Sequence, residues 1–333
     1  MTTYLQLSKQ FLTRTEIHHL NGHVQPKQLK ETHQLLLSLV KSLKLPLRVL
    51  QTTLYLLQKT LLFINPGLQE LAITCLFIST KSNDFIIKLQ NLLHASLALT
   101  TQKPKKEDLE ELKKRVLSLE RKVMEIQGFD FRQYNVEELL VKFIKLYQSK
   151  ELLDDQQAYL AWCITNDLYF TRLILILPAH YCAIIALHLA RLINNELGMT
   201  KYRLEYNLLQ FRPDMLKVKE GCNLLLEYYI DNLSSTFMFK SIKEQRGEDS
   251  NLATPKTPVT PATPSANQTS VPTRDPLAKE VQNALLNIKI ELAVDSKIGK
   301  LSEDLYYKNR EEGSIRFMYN RGKYEREVYN QKP

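Results

Sequence analysis

Residues 68–81 read LQELAITCLFISTK, and this stretch decides the fold. Small or apolar side chains occupy nearly every position until Lys81. A helix that is apolar on all sides lies inside other helices rather than on a surface. Ala72, Thr74, Cys75 and Ser79 are small enough to let neighbouring backbones approach. Residues 178–192, PAHYCAIIALHLARL, repeat the design, with Ala179, Ala183, Ala186 and Ala190 forming a small-residue stripe at helical spacing. Two such axis helices predict two helical bundles in one chain.

Working outward from the first axis, residues Pro26 to Leu43 predict a helix with Thr32, Leu36, Leu39, Val40 and Leu43 on one face. Pro46 ends it, because proline disfavours helix in the residue before it and suits the first turn after it. Leu50, Leu54, Leu57, Leu61 and Ile64 then give the alternating 4-3 spacing of an amphipathic helix up to the Asn65-Pro66-Gly67 turn. Beyond the axis, Ser82-Asn83-Asp84 is a stop and Ile86 to Leu99 predicts one more short helix. Pro104 opens a long helix whose acidic first turn, Glu107 to Glu111, suits the helix dipole. Leu109, Leu112, Val116, Leu119, Val123 and Ile126 are its stripe, and Gly128 its stop.

A second set follows: Val136–Tyr147, Gln156–Phe170, the second axis and Met215–Leu233. It repeats the first at an offset of about 110 residues, the internal symmetry to look for first. Residues 1–25 are an irregular lead-in from which Phe11-Leu12 and Ile17 can dock. The expected domains are 1–25, 26–132 and 133–243, then a linker at 244–276 and an extension at 277–333. The linker is rich in Pro, Thr and Ser and poor in large apolar residues, so composition predicts disorder. Its Thr254, Thr257, Thr260 and Thr263 each precede proline, the pattern of proline-directed phosphorylation. In the extension, Leu277, Val281, Leu285, Ile288 and Leu292 share one helix face, and residues 315–329 alternate as a hairpin or form a basic, tyrosine-rich tail.

The chain has 333 residues, 44% of them hydrophobic, with 9 glycines and a formal charge of +9. That length suits two domains. The positive charge is mixed with acids along the chain, so a solvated surface accounts for it better than a nucleic-acid face. The four cysteines lie far apart on apolar segments, without a CxxC pair, so buried free thiols are expected and no metal site. The N-terminus lacks the basic-then-apolar order of a signal peptide, and no apolar run reaches the roughly 18 residues of a membrane span. A soluble, intracellular protein is expected. No phosphate-binding glycine loop, GxSxG or HExxH occurs, and His18, His19, His33, His94, His180 and His188 form no ligand cluster in the sequence. The reading is a non-enzyme without a cofactor.

Two charges stand in otherwise structural places. Lys81 ends the first axis, and Glu120 lies inside the long helix beside Leu119. Here the chain resembles a known family. AITCLFISTK (72–81) is similar to the third helix of the cyclin box, which ends in a functional Lys, and LERKVMEIQGFDF (119–131) is similar to its fifth helix with its functional Glu. KKRVLSLERKVMEIQGFDFRQYNVEELLVK (113–142) and LILPAHYCAIIALHLA (175–190) resemble the transcriptional cyclins of C, K and T types, and within them the fungal cyclin subunits of kinases acting on the RNA polymerase II C-terminal domain. The arginine signature of cell-cycle cyclins is absent from the first helix, and only Asp84 supplies an acid after Lys81.

The resemblance implies an all-α tandem cyclin-box fold of two five-helix bundles. It also implies a non-catalytic subunit that binds and activates a cyclin-dependent kinase, together with a third, non-cyclin subunit, in the nucleus. Lys81 and Glu120 would contact the kinase, with Met124 and Phe131 adding apolar contact. A DNA-binding factor of the TFIIB type, with the same paired bundles, and a helical scaffold without a kinase are the competing classes. The former expects an N-terminal zinc ribbon, and residues 1–25 contain no cysteine.

Overall fold

The structure is a computed structural model that describes residues 11–13, 16–17, 26–64, 66–100, 106–130, 135–150, 152–199, 213–247 and 276–295. Of a second compact unit, residues 293–333, only the end of the last helix is described. The Thr-Pro positions Thr254, Thr257, Thr260 and Thr263, the 315–329 segment and Phe131 lie outside the described residues.

The first repeat is built of α1 (Pro26–Ser42), α2 (Leu47–Leu61), α3 (Leu68–Ser82), α4 (Leu89–Thr100) and α5 (Lys106–Gln127). Helix α3 touches all four of the others. Every residue from Leu71 to Thr80 is buried, as its all-round apolar surface requires. Its small polar side chains are satisfied internally: the Thr74 and Ser79 hydroxyls donate to the carbonyls of Glu70 and Cys75 at 2.7 Å each. That lets them sit in the core without an unpaired group.

The second repeat contains α6 (Val136–Gln148), α7 (Asp155–Leu168), the single turn α8 (Leu173–Ile176), α9 (Ala179–Glu196), α10 (Met215–Asn232) and α11 (Phe237–Gln245). Here α9 is the axis, in contact with α6, α7, α8 and α10. Gly221 of α10 gives close approach to α9, since a Cβ there would stand 2.3 Å from Ile185 Cδ1. The fold is all-α, with no strand among the described residues. The four cysteines are free and buried, and burial pushes the Cys163 thiol up to about 11 and Cys182 and Cys222 to about 12.

Three elements depart from expectation, the first being the single turn α8, which the sequence reading did not place as a helix. Helix α4 begins at Leu89 rather than Ile86. Asp84 takes the left-handed conformation (φ 61°) and the Phe85 amide returns to the Thr80 carbonyl at 2.8 Å, which closes α3 and leaves 85–88 non-helical. Helix α11 was not expected at all. Its first turn is held by Asp167 of α7, buried at 0% exposure, which accepts from the Phe237 and Met238 amides at 2.9 Å and from the Tyr229 hydroxyl at 3.2 Å. Burial lifts the Asp167 carboxyl to about 7 against the pull of these donors. Thr236 adds an N-cap, its hydroxyl accepting from the Phe239 amide at 3.2 Å.

The repeats meet through α2, which contacts α8. Gln51 of α2 donates to Glu137 and, at 2.7 Å, to Asn166, while the Gln58 amide donates to the Tyr169 carbonyl at 2.6 Å. Before α1, Phe11, Leu12 and Ile17 are buried, and the Leu12 amide donates to the Leu175 carbonyl at 2.8 Å. Thr13 and Glu16 form a reciprocal capping box at 3.0 and 2.8 Å.

Candidate functional site

The two singled-out charges meet where α3 ends beside α5. Lys81 Nζ lies 2.7 Å from Glu120 Oε1 and 3.9 Å from the centroid of the Phe77 ring. Position on α3 explains the lysine: directly after the buried run that ends at Thr80, and one turn beyond Phe77, its ammonium lies over the Phe77 ring and reaches the surface. Position on α5 explains the glutamate. Leu112, Val116, Leu119, Val123 and Ile126 face inward, so Glu120 falls at the edge of the buried stripe, with Leu117 and Met124 one turn to either side. The side chains are 48% and 17% exposed, so a half-sheltered carboxylate holds a largely solvated ammonium. A second pair, Arg115 Nε to Glu70 Oε1 at 2.9 Å, ties α5 to the first turn of α3 and keeps the two helices in register.

Folding leaves several apolar side chains uncovered on the segments that carry or follow the pair. Phe85 and Ile86, released by the turn at Asp84, are 48% and 85% exposed. Leu117 is 46% exposed, one turn before Glu120. Beyond α5, Gly128 and Phe129 both adopt positive φ, 64° and 55°, and the Phe129 amide closes onto the Met124 carbonyl at 3.1 Å. That closure turns the Phe129 ring outward at 63% exposure. Exposed apolar groups on the same helices and turns as a charged pair suit a protein-binding surface.

Of the residues singled out from sequence, Lys81 and Glu120 are in contact, Met124 is half-buried one turn on, and Phe131 lies outside the described residues. Phe85, Ile86, Leu117 and Phe129 were not singled out. For Leu117 there was a signal, a large apolar residue off the α5 stripe. For Phe85 and Ile86 the signal was two apolar residues directly after a turn sequence. No group of metal-ligating side chains gathers among the described residues, and no helix there is long and apolar enough to cross a membrane.

No family model matches the chain. It is similar to the CTD kinase subunit beta of Saccharomyces cerevisiae, 29% identical over 233 residues that make up 68% of this chain and 70% of that protein. It is 31% identical over 167 residues to the CTD kinase subunit beta of Schizosaccharomyces pombe, covering 46% of this chain and 48% of that protein. Cyclin-C1-1 of Arabidopsis thaliana is 25% identical over 199 residues, 58% of this chain and 73% of that protein. In fold, the chain is similar to one in the crystal structure of the yeast RNA Pol II CTD kinase CTDK-1 complex, with a TM-score of 0.57 at 21% identity over 75% of this chain and 86% of that one. Paired axis helices, this fold and these sequence likenesses make the chain similar to the transcriptional cyclins and, among them, to the fungal CTD kinase beta subunits.

Proposed function

We propose that this chain is the regulatory subunit of a kinase complex, binding and activating a cyclin-dependent kinase that phosphorylates the C-terminal repeat domain of RNA polymerase II. The observation that carries the reading is the Lys81–Glu120 pair, held at the α3–α5 junction, with Phe85, Ile86, Leu117 and Phe129 exposed on the same helices and the turns after them. The partner chemistry comes from the names of the sequence relatives. The chain itself performs no chemistry. Kinase catalysis needs a Lys–Glu ion pair of its own and a correctly placed regulatory helix αC. A rigid surface that binds the active placement better than the inactive one shifts the kinase toward activity by that difference in affinity. Lys81 and Glu120 would bond polar groups beside αC, with Met124 and Phe131 in apolar contact. The complex would hold a third, non-cyclin subunit and work in the nucleus in transcription elongation and mRNA processing.

Purification of the tagged chain from its own cells, followed by mass spectrometry and a kinase assay on a heptad-repeat peptide, tests the reading. A co-purifying kinase whose activity depends on the chain is expected. Recovery of RNA polymerase II initiation factors and promoter DNA instead would favour the TFIIB-like class, and recovery of no kinase would favour a scaffold.

A further inference from the structure

Between α1 of the first repeat and the end of α10 in the second lies a cleft of about 140 Å³, none of whose lining residues belongs to α3 or α5. Leu29, Lys30, His33, Gln34 and Leu37 bring one face of α1 to it, at the steps of three and four that share a helix side. The facing wall is Tyr228 and Asn232 of α10 and Ser235 of the 3-10 turn Leu233–Ser235. Phe170, just after α7, joins the two walls. It stacks on Tyr228, with ring centroids 6.3 Å apart and 15° between planes, and meets the His33 ring in a T-shaped contact at 5.1 Å. These rings, with Leu29 and Leu37, make the apolar part of the hollow.

The polar part is uncommitted. His33 is 8% exposed, yet its Nε2 has no hydrogen-bond partner. A buried polar nitrogen left unmet is costly, and a group entering the cleft would meet it. Burial keeps this imidazole neutral at pH 7, so it offers one donor and one acceptor. Gln34 makes no side-chain hydrogen bond among the described residues. Asn232 commits its amide nitrogen to the Tyr228 carbonyl at 3.2 Å and keeps its oxygen. Ser235 donates to the Asn232 carbonyl at 2.9 Å and keeps its lone pairs. Lys30 carries the one full charge in the lining, and no carboxylate lines the cleft.

We propose that this cleft binds an extended, acidic peptide of a partner protein, one apolar side chain of which fills the hollow beside Phe170. Size sets the anchor. An apolar cavity of about 150 Å³ admits a benzene ring, so the hollow takes one Leu, Phe or Tyr side chain. Length sets the form. The lining runs along α1 from Pro26 to Leu37, about 17 Å at a rise of about 1.5 Å per residue. Five residues of extended chain cover that distance at about 3.3 Å each. Amide and hydroxyl groups on both walls match the alternating N–H and C=O groups of such a chain. A compact small-molecule acid would fill the hollow and leave those groups unmet. Lys30, with no carboxylate opposing it, selects an acid beside the anchor.

The test uses the full chain and capped pentapeptides with Leu, Phe or Tyr at the centre and Glu, Gln or Lys at each flank. The peptides are screened as an array, and the best are titrated in fluorescent form by anisotropy. Glu-flanked peptides should bind at least tenfold more tightly than the same peptides flanked by Lys, and a Gly-Ser pentapeptide should not bind. Lys30→Glu should reverse the flank preference. Gln34→Trp, at an exposed position, should plug the cleft and weaken binding at least tenfold with the urea midpoint unchanged. Glu120→Lys should leave peptide affinity at the wild-type value, because α5 does not line the cleft. The proposal is overturned if no pentapeptide binds above the Gly-Ser control, if Lys-flanked peptides bind best, or if Lys30→Glu and Gln34→Trp bind as the wild type does. Binding of N-acetylphenylalanine as tight as that of the best pentapeptide would overturn it too, because the occupant would then be a small carboxylate.

Discussion

Reversing one charge, Glu120→Lys, separates what the α3–α5 pair does for the fold from what it does for a partner. In the free chain Lys81 is 48% exposed and Glu120 17%, so the pair belongs to the surface class worth about 0.2–1 kcal/mol. Reversal removes that and brings two ammonium groups together, but Lys81 can swing into solvent. Unfolding free energy should drop by roughly 1 kcal/mol, a midpoint shift of ~2–4 °C for a domain of this size. In a kinase interface the same carboxylate would be stripped of water. Cutting one side of a desolvated charged contact costs about 2–5 kcal/mol, a loss of about 30- to 5,000-fold in affinity. Urea unfolding of the variant, calorimetric titration with the kinase subunit, and phosphorylation of a heptad-repeat peptide read the two effects apart. The double swap Lys81→Glu with Glu120→Lys restores the internal pair and should restore stability but not binding. A folded Glu120→Lys variant with wild-type kinase affinity would refute the reasoning, and so would a double swap that recovers both.

Ile86→Asp changes a side chain that is 85% exposed, so stability should move by less than about 0.5 kcal/mol while kinase affinity falls; pull-down with the kinase checks both. Asp167→Ala leaves two backbone amides and the Tyr229 hydroxyl without their acceptor, at about 1–3 kcal/mol each when unmet. Hydrogen exchange should then report early opening of α11; unchanged protection over 237–245 would contradict the role given to this carboxylate. Burial lowers both His33 and His188 to about 4, so the stability they lend is full above about 6.5 and is lost as pH falls toward 4. Asp167, raised to about 7, acts in the opposite sense and gains stability over the same fall. From pH 7 to 5 each histidine should withdraw roughly 2 kcal/mol, and His33→Leu should remove one such share from the measured pH dependence. Equal pH dependence in wild type and variant would count against a neutral buried His33. Gly221→Val should cost about 1–3 kcal/mol by overpacking against Ile185, measurable as a lower urea midpoint.

Much of the architecture was legible in residue order, because a helix declares itself locally. Periodicity and caps placed α1, α2, α3, α5, α6, α7 and α9, and the covered face of α12 (Pro276–Asp295), within a few residues. The buried axis helices were visible because apolar residues on every side exclude any other location. The adjacency of Lys81 and Glu120 could not be read from residue order, since no spacing between positions 39 apart encodes a contact. Helix α11 escaped notice because its start depends on Asp167, about 70 residues earlier, and a carboxylate reaching across two helices leaves no periodic trace. The late start of α4 escaped because the left-handed turn at Asp84 competes with an apolar run that by composition alone continues as helix. The exposure of Phe85, Ile86 and Phe129 became recognisable only when the turns after α3 and α5 had been folded. Local pattern thus settled most of the helical segments and which of their faces are inward. The pairing of charges, the capping of one helix by another and the apolar groups left in solvent follow from packing at long range, where the deciding free energies belong to residues far apart in the chain.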